Sequence, residues 1–332
     1  MLDTSFKTDG GTLVVNAGGI LDNDANVGTG GLNLQNGDVV DEFKLNVTGS
    51  ANSDSVEGTN LADTFNLGAG DDTVYADAVD GQGAADVINL GAGDDFAVGG
   101  QGADTINGGD GDDSIFGGSD ATGPGTPDDT ADGADIIDAG AGDDFVYGGA
   151  GNDRITLGSG ADTVVFSHID TYDVGTANLN VQLNGRDTVT DFNLSDGDAL
   201  GFGNPNGSVL DLDGSNGTVD DFSVVQSIDL AGGGRATLEG EVMVVQTQSV
   251  GSENNATVAG WLTAATTGGV VVTGNEGAHT LYVWNVNNSA DGDTSAITGD
   301  DISLVGVINL AGNQTIADFT VDNLALNAFA PA

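Results

Sequence analysis

Cysteine is absent from all 332 residues, so neither disulfides nor thiolate metal sites can hold this chain together. Basic residues are almost as scarce: five lysines and arginines stand against 52 aspartates and glutamates, giving a formal net charge of -47. A surface of that sign repels phosphate, so nucleic acid and anionic membrane are poor partners and cations are the expected ones. No apolar run approaches the roughly 18 residues of a membrane-spanning helix, and membrane insertion is not expected. Met1-Leu2-Asp3-Thr4 lacks the basic and apolar regions of a secretory signal, so export would need another route. High acidity with only 5% aromatic residues usually marks disorder, yet 38% hydrophobic residues and a mean hydropathy of -0.05 leave material for a core. The acidity must therefore be neutralised, not merely solvated.

Against four prolines stand 56 glycines, without the G-X-Y period of collagen. Their order is different: alignment on aspartate-x-apolar reveals a nine-residue period from 49 to 165. Units start at Gly49, Gly58, Leu67, Gly81, Leu90, Gly99, Gly108, Thr130, Ala139, Gly148 and Leu157. Their sixth position carries Asp54, Asp63, Asp72, Asp86, Asp95, Asp104, Asp113, Asp135, Asp144, Asp153 and Asp162. Two residues later stand Val56, Phe65, Val74, Ile88, Ala97, Ile106, Ile115, Ile137, Val146, Ile155 and Val164, all apolar. Eight of the eleven units also have glycine at position four: Gly70, Gly93, Gly102, Gly111, Gly133, Gly142, Gly151 and Gly160. Gly99-Gly100-Gln101-Gly102-Ala103-Asp104 and Gly108-Gly109-Asp110-Gly111-Asp112-Asp113 match the full G-G-x-G-x-D-x-U-x pattern. Over about a third of its length the chain thus resembles the RTX, or haemolysin-type calcium-binding, nonapeptide family.

The residue types suit that resemblance. Glycines turn the backbone sharply through positive φ and aim carbonyls inward, and aspartate adds a carboxylate, together making an oxygen cage for a hard cation such as Ca2+. The remaining x-U-x forms a very short strand with its apolar member inward. Two nonapeptides make one turn of a parallel β-roll, so carboxylates 18 residues apart can share an ion: Asp54 with Asp72, Asp86 with Asp104, Asp95 with Asp113, Asp135 with Asp153, and Asp144 with Asp162. Several calcium ions are expected. Five residues at 76 to 80 and thirteen at 117 to 129 break the phase. They are expected to bulge from a continuing roll, the alternative being separate rolls. The first two units lack glycine at position four and are expected to bind weakly or to cap. A coil this thin buries little apolar area, so calcium must contribute folding free energy.

The fold class is therefore all-β: a parallel β-roll at 49 to 165, N-terminal strands leading into it at 1 to 48, and a β-rich, sandwich-like capping or assembly region at 166 to 332. Val47 lies in phase with Val56, which would start the ladder one unit earlier. The segment from Arg186 to Leu200 resembles the D-x-U-x-D-F segment that follows the repeats in secreted RTX proteins, with extra residues before Asp198-Ala199-Leu200. The resemblance implies a cap and no catalytic role; one more polar-flanked strand is the other reading. Runs at 242 to 245, 269 to 273, 280 to 284 and 302 to 307 suit an antiparallel sheet or sandwich. Asn287, Ser289, Asp291, Gly292 and Asp293 distantly resemble a calcium loop but lack its terminal glutamate, so an ordinary turn is the preferred reading. About 300 to 332 the chain resembles the uncleaved C-terminal signal of type I secretion substrates, an ordinary terminal strand being the alternative.

Catalysis has no visible constellation. His168 and His279 stand far apart, and neither His-Glu-x-x-His nor Gly-x-Ser-x-Gly occurs. The expectation is a protein that is not an enzyme: a calcium-binding structural protein of the bacterial surface, outside the cell, most similar to RTX-type S-layer proteins. Its expected partners are further copies of itself in a lattice, the type I secretion machinery and a cell-surface glycan or lipopolysaccharide anchor. The alternatives are the folding and secretion module of an RTX protease, lipase or toxin, and a calcium-rigidified adhesin segment.

Overall fold

Residues 12–16, 33–34, 44–77, 83–118, 132–166, 185–202, 239–249, 255–262, 268–275, 279–287, 297–298, 302–319 and 323–325 are described by the computed structural model. Two units divide the chain, Met1–Gly160 and Ala161–Ala332. In the first, β1 (Thr12–Asn16), β2 (Asn33–Leu34), β3 (Lys44–Thr48) and β4 (Ser55–Glu57) precede β5 (Thr64–Ala69), β6 (Thr73–Tyr75), β7 (Val87–Ala92) and β8 (Phe96–Val98). There follow β9 (Thr105–Asp110), β10 (Ser114–Phe116), β11 (Ile136–Ala141), β12 (Phe145–Tyr147) and β13 (Arg154–Ser159). Odd-numbered strands pair in parallel, each with the next odd one, from β1 to β13. Even-numbered strands do the same from β2 to β12. Each turn of chain thus gives one strand to each of two sheets, the parallel β-roll that the repeat implies.

Side chains alternate across a strand, so the apolar residue after each aspartate faces inward while its neighbours face out. Phe65, Val74, Ile88, Ala97, Ile115, Ile137 and Val146 are all fully buried. From β4 to β12 the even strands are three residues long, as expected, but the odd strands from β5 onward run to six. There the unit opens on Leu67, Leu90, Ala139 or Leu157, whose side chains extend the core. After the even strands a glycine or alanine follows, and a Cβ on Gly58, Gly99 or Gly117 would collide with a carbonyl oxygen of the next coil.

One roll continues past both phase breaks. Phe65 pairs with Ile88, Ile106 with Ile137, and Ile115 with Val146. The extra residues, however, enter two places later than the repeat alignment put them. Ala76 N–H bonds Val98 O and Gly117 N–H bonds Tyr147 O, as Gly58 bonds Tyr75 and Gly99 bonds Phe116. Ala76-Asp77 and Gly117-Gly118 therefore hold loop positions one and two, and the added residues are 78–82 and 119–131. Aspartate-x-apolar alone fixes the phase after a break, not the point where the loop opens. The ladder does begin before Val56: Val47 is buried and pairs with Phe65.

The second unit contains β14 (Thr163–Phe166), β15 (Asp187–Phe192), β16 (Ala199–Phe202), β17 (Glu239–Ser249), helix α1 (Asn255–Gly260), β18 (Gly268–Asn275), β19 (Thr280–Asn287), β20 (Ile302–Leu310) and β21 (Leu324–Ala325). Strands β14, β16 and β21 pair in parallel. In the other sheet β15 is parallel to β20, β19 lies antiparallel between β20 and β18, and β17 is parallel to β18. All four apolar runs foreseen after residue 220 are strands, and the sheet they form is mixed, where an antiparallel sheet or sandwich was expected. Its core gathers Val245, Val258, Leu262, Val271, Trp284, Val286 and Ile302, and Trp284 Nε1 donates to Thr273 Oγ1 at 2.9 Å. Part of the stretch read as an export signal is packed: Phe319 and Leu324 are buried, and Leu324 pairs with Leu200. Residues 326 to 332 and the calcium-like loop after Asn287 lie outside the described residues. Among those described, no helix is long and apolar enough to cross a membrane.

Candidate metal centre

All eleven sixth-position aspartates, Asp54 through Asp162, are buried, each at most 2% exposed. Each immediately precedes a strand, and the parallel register stacks the ten of the first unit, Asp54 to Asp153, into two columns. In one column Asp54 N–H donates to Asp72 Oδ1 (2.7 Å), Asp72 to Asp95 (2.6 Å), Asp95 to Asp113 (2.9 Å) and Asp113 to Asp144 (2.8 Å). In the other, Leu45 N–H donates to Asp63 Oδ1 (2.6 Å), Asp63 to Asp86 (2.6 Å), Asp86 to Asp104 (2.8 Å), Asp104 to Asp135 (2.7 Å) and Asp135 to Asp153 (2.9 Å). Four of the pairs expected at a spacing of 18 are therefore neighbours. The spacing missed four others, Asp63 with Asp86 and Asp72 with Asp95 at 23, and Asp104 with Asp135 and Asp113 with Asp144 at 31. Of the fifth expected pair, Asp144 belongs to the first unit and Asp162 to the second.

From Asp63 to Asp153 each carboxylate divides its work. Oδ1 satisfies a backbone N–H of the neighbouring coil, while Oδ2 of Asp72, Asp86, Asp95, Asp104, Asp113 and Asp135 is buried without a hydrogen-bond partner. A buried charge with an unsatisfied oxygen costs several kcal/mol unless something positive meets it. A divalent cation is the fitting counterpart, being hard and oxygen-seeking. Among the described residues no three acidic or histidine side chains form a ready ligand cluster. An ion held here would draw on ladder carboxylates and complete its shell from loop carbonyls. Glycine is needed to leave the space: a Cβ on Gly117 would strike Asp135 Oδ2, and Gly102 holds φ at +136°.

The first two units differ for a visible reason. Ser50 N–H bonds Asp54 Oδ2 at 2.7 Å, and both the N–H and hydroxyl of Thr59 bond Asp63 Oδ2 at 2.7 and 3.0 Å. Hydroxyl residues at loop position two thus serve those carboxylates where all later units but the one with Asp77 present glycine, in keeping with a capping role.

Burial raises the pKa values of Asp63, Asp72, Asp86, Asp95, Asp104, Asp113 and Asp135, and repulsion between carboxylates adds to it in all but Asp63 and Asp104. Asp95 is pushed up to about 6 and Asp72 and Asp113 to about 7, while backbone N–H bonds pull the other way. Asp104 reaches about 7, Asp86 about 9 and Asp135 about 10. Without a cation the columns would hold protons or repel; a bound cation removes both needs.

Four further acids were not singled out. Asp187 and Asp198 are buried and begin β15 and β16, and Asp162 N–H donates to Asp198 Oδ1 at 3.2 Å. The segment from Arg186 to Leu200 thus repeats coil chemistry within the second unit, and the signal was present in Asp187-Thr188-Val189 and Asp198-Ala199-Leu200. Asp77 and Asp132, beside the added residues, had no periodic signal. Of the two histidines only His279 is described; its Nδ1 lies 2.6 Å from Gln314 O at a turn with φ of 50°.

No curated protein is matched by the chain. Four stretches, residues 48–82, 76–97, 90–122 and 129–164, match the RTX calcium-binding nonapeptide repeat. With the same residues winding a parallel roll whose inner carboxylates await a cation, these four stretches are RTX calcium-binding nonapeptide repeats.

Proposed function

We propose that the chain is a calcium-folded structural protein of the bacterial exterior, a surface-layer subunit or its lattice-forming part, and not an enzyme. The observation that carries the calcium dependence is the row of buried, unpartnered Oδ2 atoms from Asp72 to Asp135. Several ions lying along these rows would supply the positive charge that five basic residues in the whole chain cannot. At low intracellular calcium the columns repel and the roll stays unwound; outside the cell, calcium drives the coils together. Such a switch suits passage through a type I secretion channel. The assembly role is supported by the acidic, cysteine-free composition and by the mixed sheet, which exceeds what capping a roll requires and offers surface for contacts between copies. A cell-surface glycan or lipopolysaccharide is the proposed anchor.

Circular dichroism of the full chain at neutral pH with excess calcium and with chelator tests the first part: strand signal should rise with calcium by the share that the roll contributes, and identical spectra would overturn it. Electron microscopy in calcium tests the second. Ordered two-dimensional arrays are expected; monodisperse particles at high concentration would reassign the chain to the folding module of a secreted enzyme or toxin.

A further inference from the structure

The two phase breaks share a feature that the nonapeptide pattern does not contain. Both enter loops of the column Asp63, Asp86, Asp104, Asp135 and Asp153, and each leaves an aspartate at its rim. Asp77 ends the described chain before residues 78–82, and Asp132 resumes it after 119–131. Neither side chain turns away to solvent. Asp77 Oδ2 accepts the Gln101 N–H of the next coil at 2.7 Å, and its Oδ1 is buried with no hydrogen-bond partner. Asp132 Oδ1 accepts the Gly133 N–H at 2.8 Å, which leaves its Oδ2 at the place where a Cβ on Gly118 or Gly149 would stand.

These placements bring each extra carboxylate beside a ladder carboxylate that already lacks a partner. Asp104 Oδ2 lies against Gly99 and Asp77 Oδ2 against Gly100, the adjacent residue. In the same way Asp135 Oδ2 lies against Gly117 and Asp132 Oδ2 against Gly118. Asp104 and Asp135 are each 1% exposed, and neither Oδ2 has a hydrogen-bond partner. Repulsion from Asp104 and Asp63 is felt at Asp77, and repulsion from Asp132 at Asp135, so the charges are close enough to couple. In the opposite column loop position two is Ser50, Gly68, Gly91, Gly109, Gly140 or Gly158, and Asp110, the aspartate at position three there, is exposed. Two acids placed independently by two additions of different length, each against the position-two glycine of the next coil, Gly100 or Gly149, serve a common purpose.

We propose that Asp77 and Asp132 are calcium ligands in their own right, joining Asp104 and Asp135 to make two sites of higher negative charge than the remaining sites of the roll. The inference rests on the calcium reading above and deepens it, since ligand charge count sets affinity among oxygen-only calcium sites. These two sites fill first as calcium rises, and the coils on either side of the added residues wind before the rest. The additions are thus the means of lodging a carboxylate at loop positions two and three without disturbing the nine-residue phase of the strands.

Calcium titration of the full chain by calorimetry tests this. Wild type should show two tight ions ahead of a weaker group. Asp77→Asn and Asp132→Asn keep an acceptor for their backbone N–H partners and should each move one tight ion into the weaker group, by about tenfold or more in affinity. The double variant should lose the tight phase, and Asp71→Asn, an exposed acid of the other column, should leave it intact. All variants should reach the wild-type circular dichroism spectrum at saturating calcium. Unchanged isotherms for both single variants would overturn the proposal, as would a variant that never folds in saturating calcium, since its aspartate would then be structural. A wild-type chain that takes up no calcium would instead bring down the calcium reading itself.

Discussion

From Lys44 to Gly160 the coils of the roll bury about three to five apolar side chains and two carboxylates each, whereas around Trp284 nine buried residues form one cluster. In the second unit the indole N–H meets Thr273 Oγ1 at 2.9 Å, and Gln314 Nε2 bonds Asn193 Oδ1 and Ser195 Oγ at 2.6 and 2.8 Å. In the first, the buried Oδ2 atoms of six column aspartates, Asp72, Asp86, Asp95, Asp104, Asp113 and Asp135, meet no donor. Burial that offsets the conformational entropy of folding stands on its own, and burial that leaves charge uncompensated has to borrow a cation. One chain holds both solutions, which makes their different dependence on calcium measurable within a single molecule.

The sharpest break in that comparison comes from chelation. Hydrogen exchange in chelator should show amides of residues 55–159 exchanging as an unwound chain while those of 270–286 and 302–310 stay protected; equal protection of both would mean that the roll holds without metal. Next in size is pH. Column carboxyls with folded-state values of about 6 to 10 hold protons that an unfolded aspartate, near 3.8, has already released. The metal-free roll is therefore favoured in acid, and its stability falls as pH climbs through those values. In chelator, the roll's share of the strand signal should be greatest near pH 4 to 5 and be lost toward pH 9, and calcium should remove most of that dependence by displacing the protons.

Trp284→Ala acts on the other side. Loss of that fully buried side chain should cost the second unit about 3–5 kcal/mol, read by urea denaturation in saturating calcium, with the calcium midpoint of the roll unmoved. The smallest effect expected is at the first coils. Thr59→Val removes the hydroxyl that serves Asp63 Oδ2 and should destabilise that end of the roll by about 1–3 kcal/mol, detected as faster exchange confined to residues near Leu45 and Asp63. A global loss of the roll would show instead that this coil is no mere cap.

The roll was legible because each coil repeats the same local chemistry: a turn of glycines, a carboxylate, then one apolar residue facing in. Eleven aspartates fell into place from that pattern, and the hydroxyl caps Ser50 and Thr59 stood at the units already marked by missing glycines. The six-residue odd strands were less visible, since Leu67 or Leu90 extends a strand only because a neighbouring coil offers it an apolar place. Asp187 and Asp198 carried the pattern past long intervening stretches, where the period could no longer count them.

What the amino-acid order determined alone is thus the periodic part: two sheets of parallel coils and two columns of acids, set by nearest-neighbour rules that need no knowledge of distant residues. Only the tertiary structure decided where the loops open at Asp77 and Gly118, that Asp63 meets Asp86 and Asp104 meets Asp135 across the added residues, and that β17 runs parallel to β18 while β19 runs antiparallel to both its neighbours. Those outcomes depend on hydrogen bonds and packing between residues far apart in sequence, which no local pattern encodes.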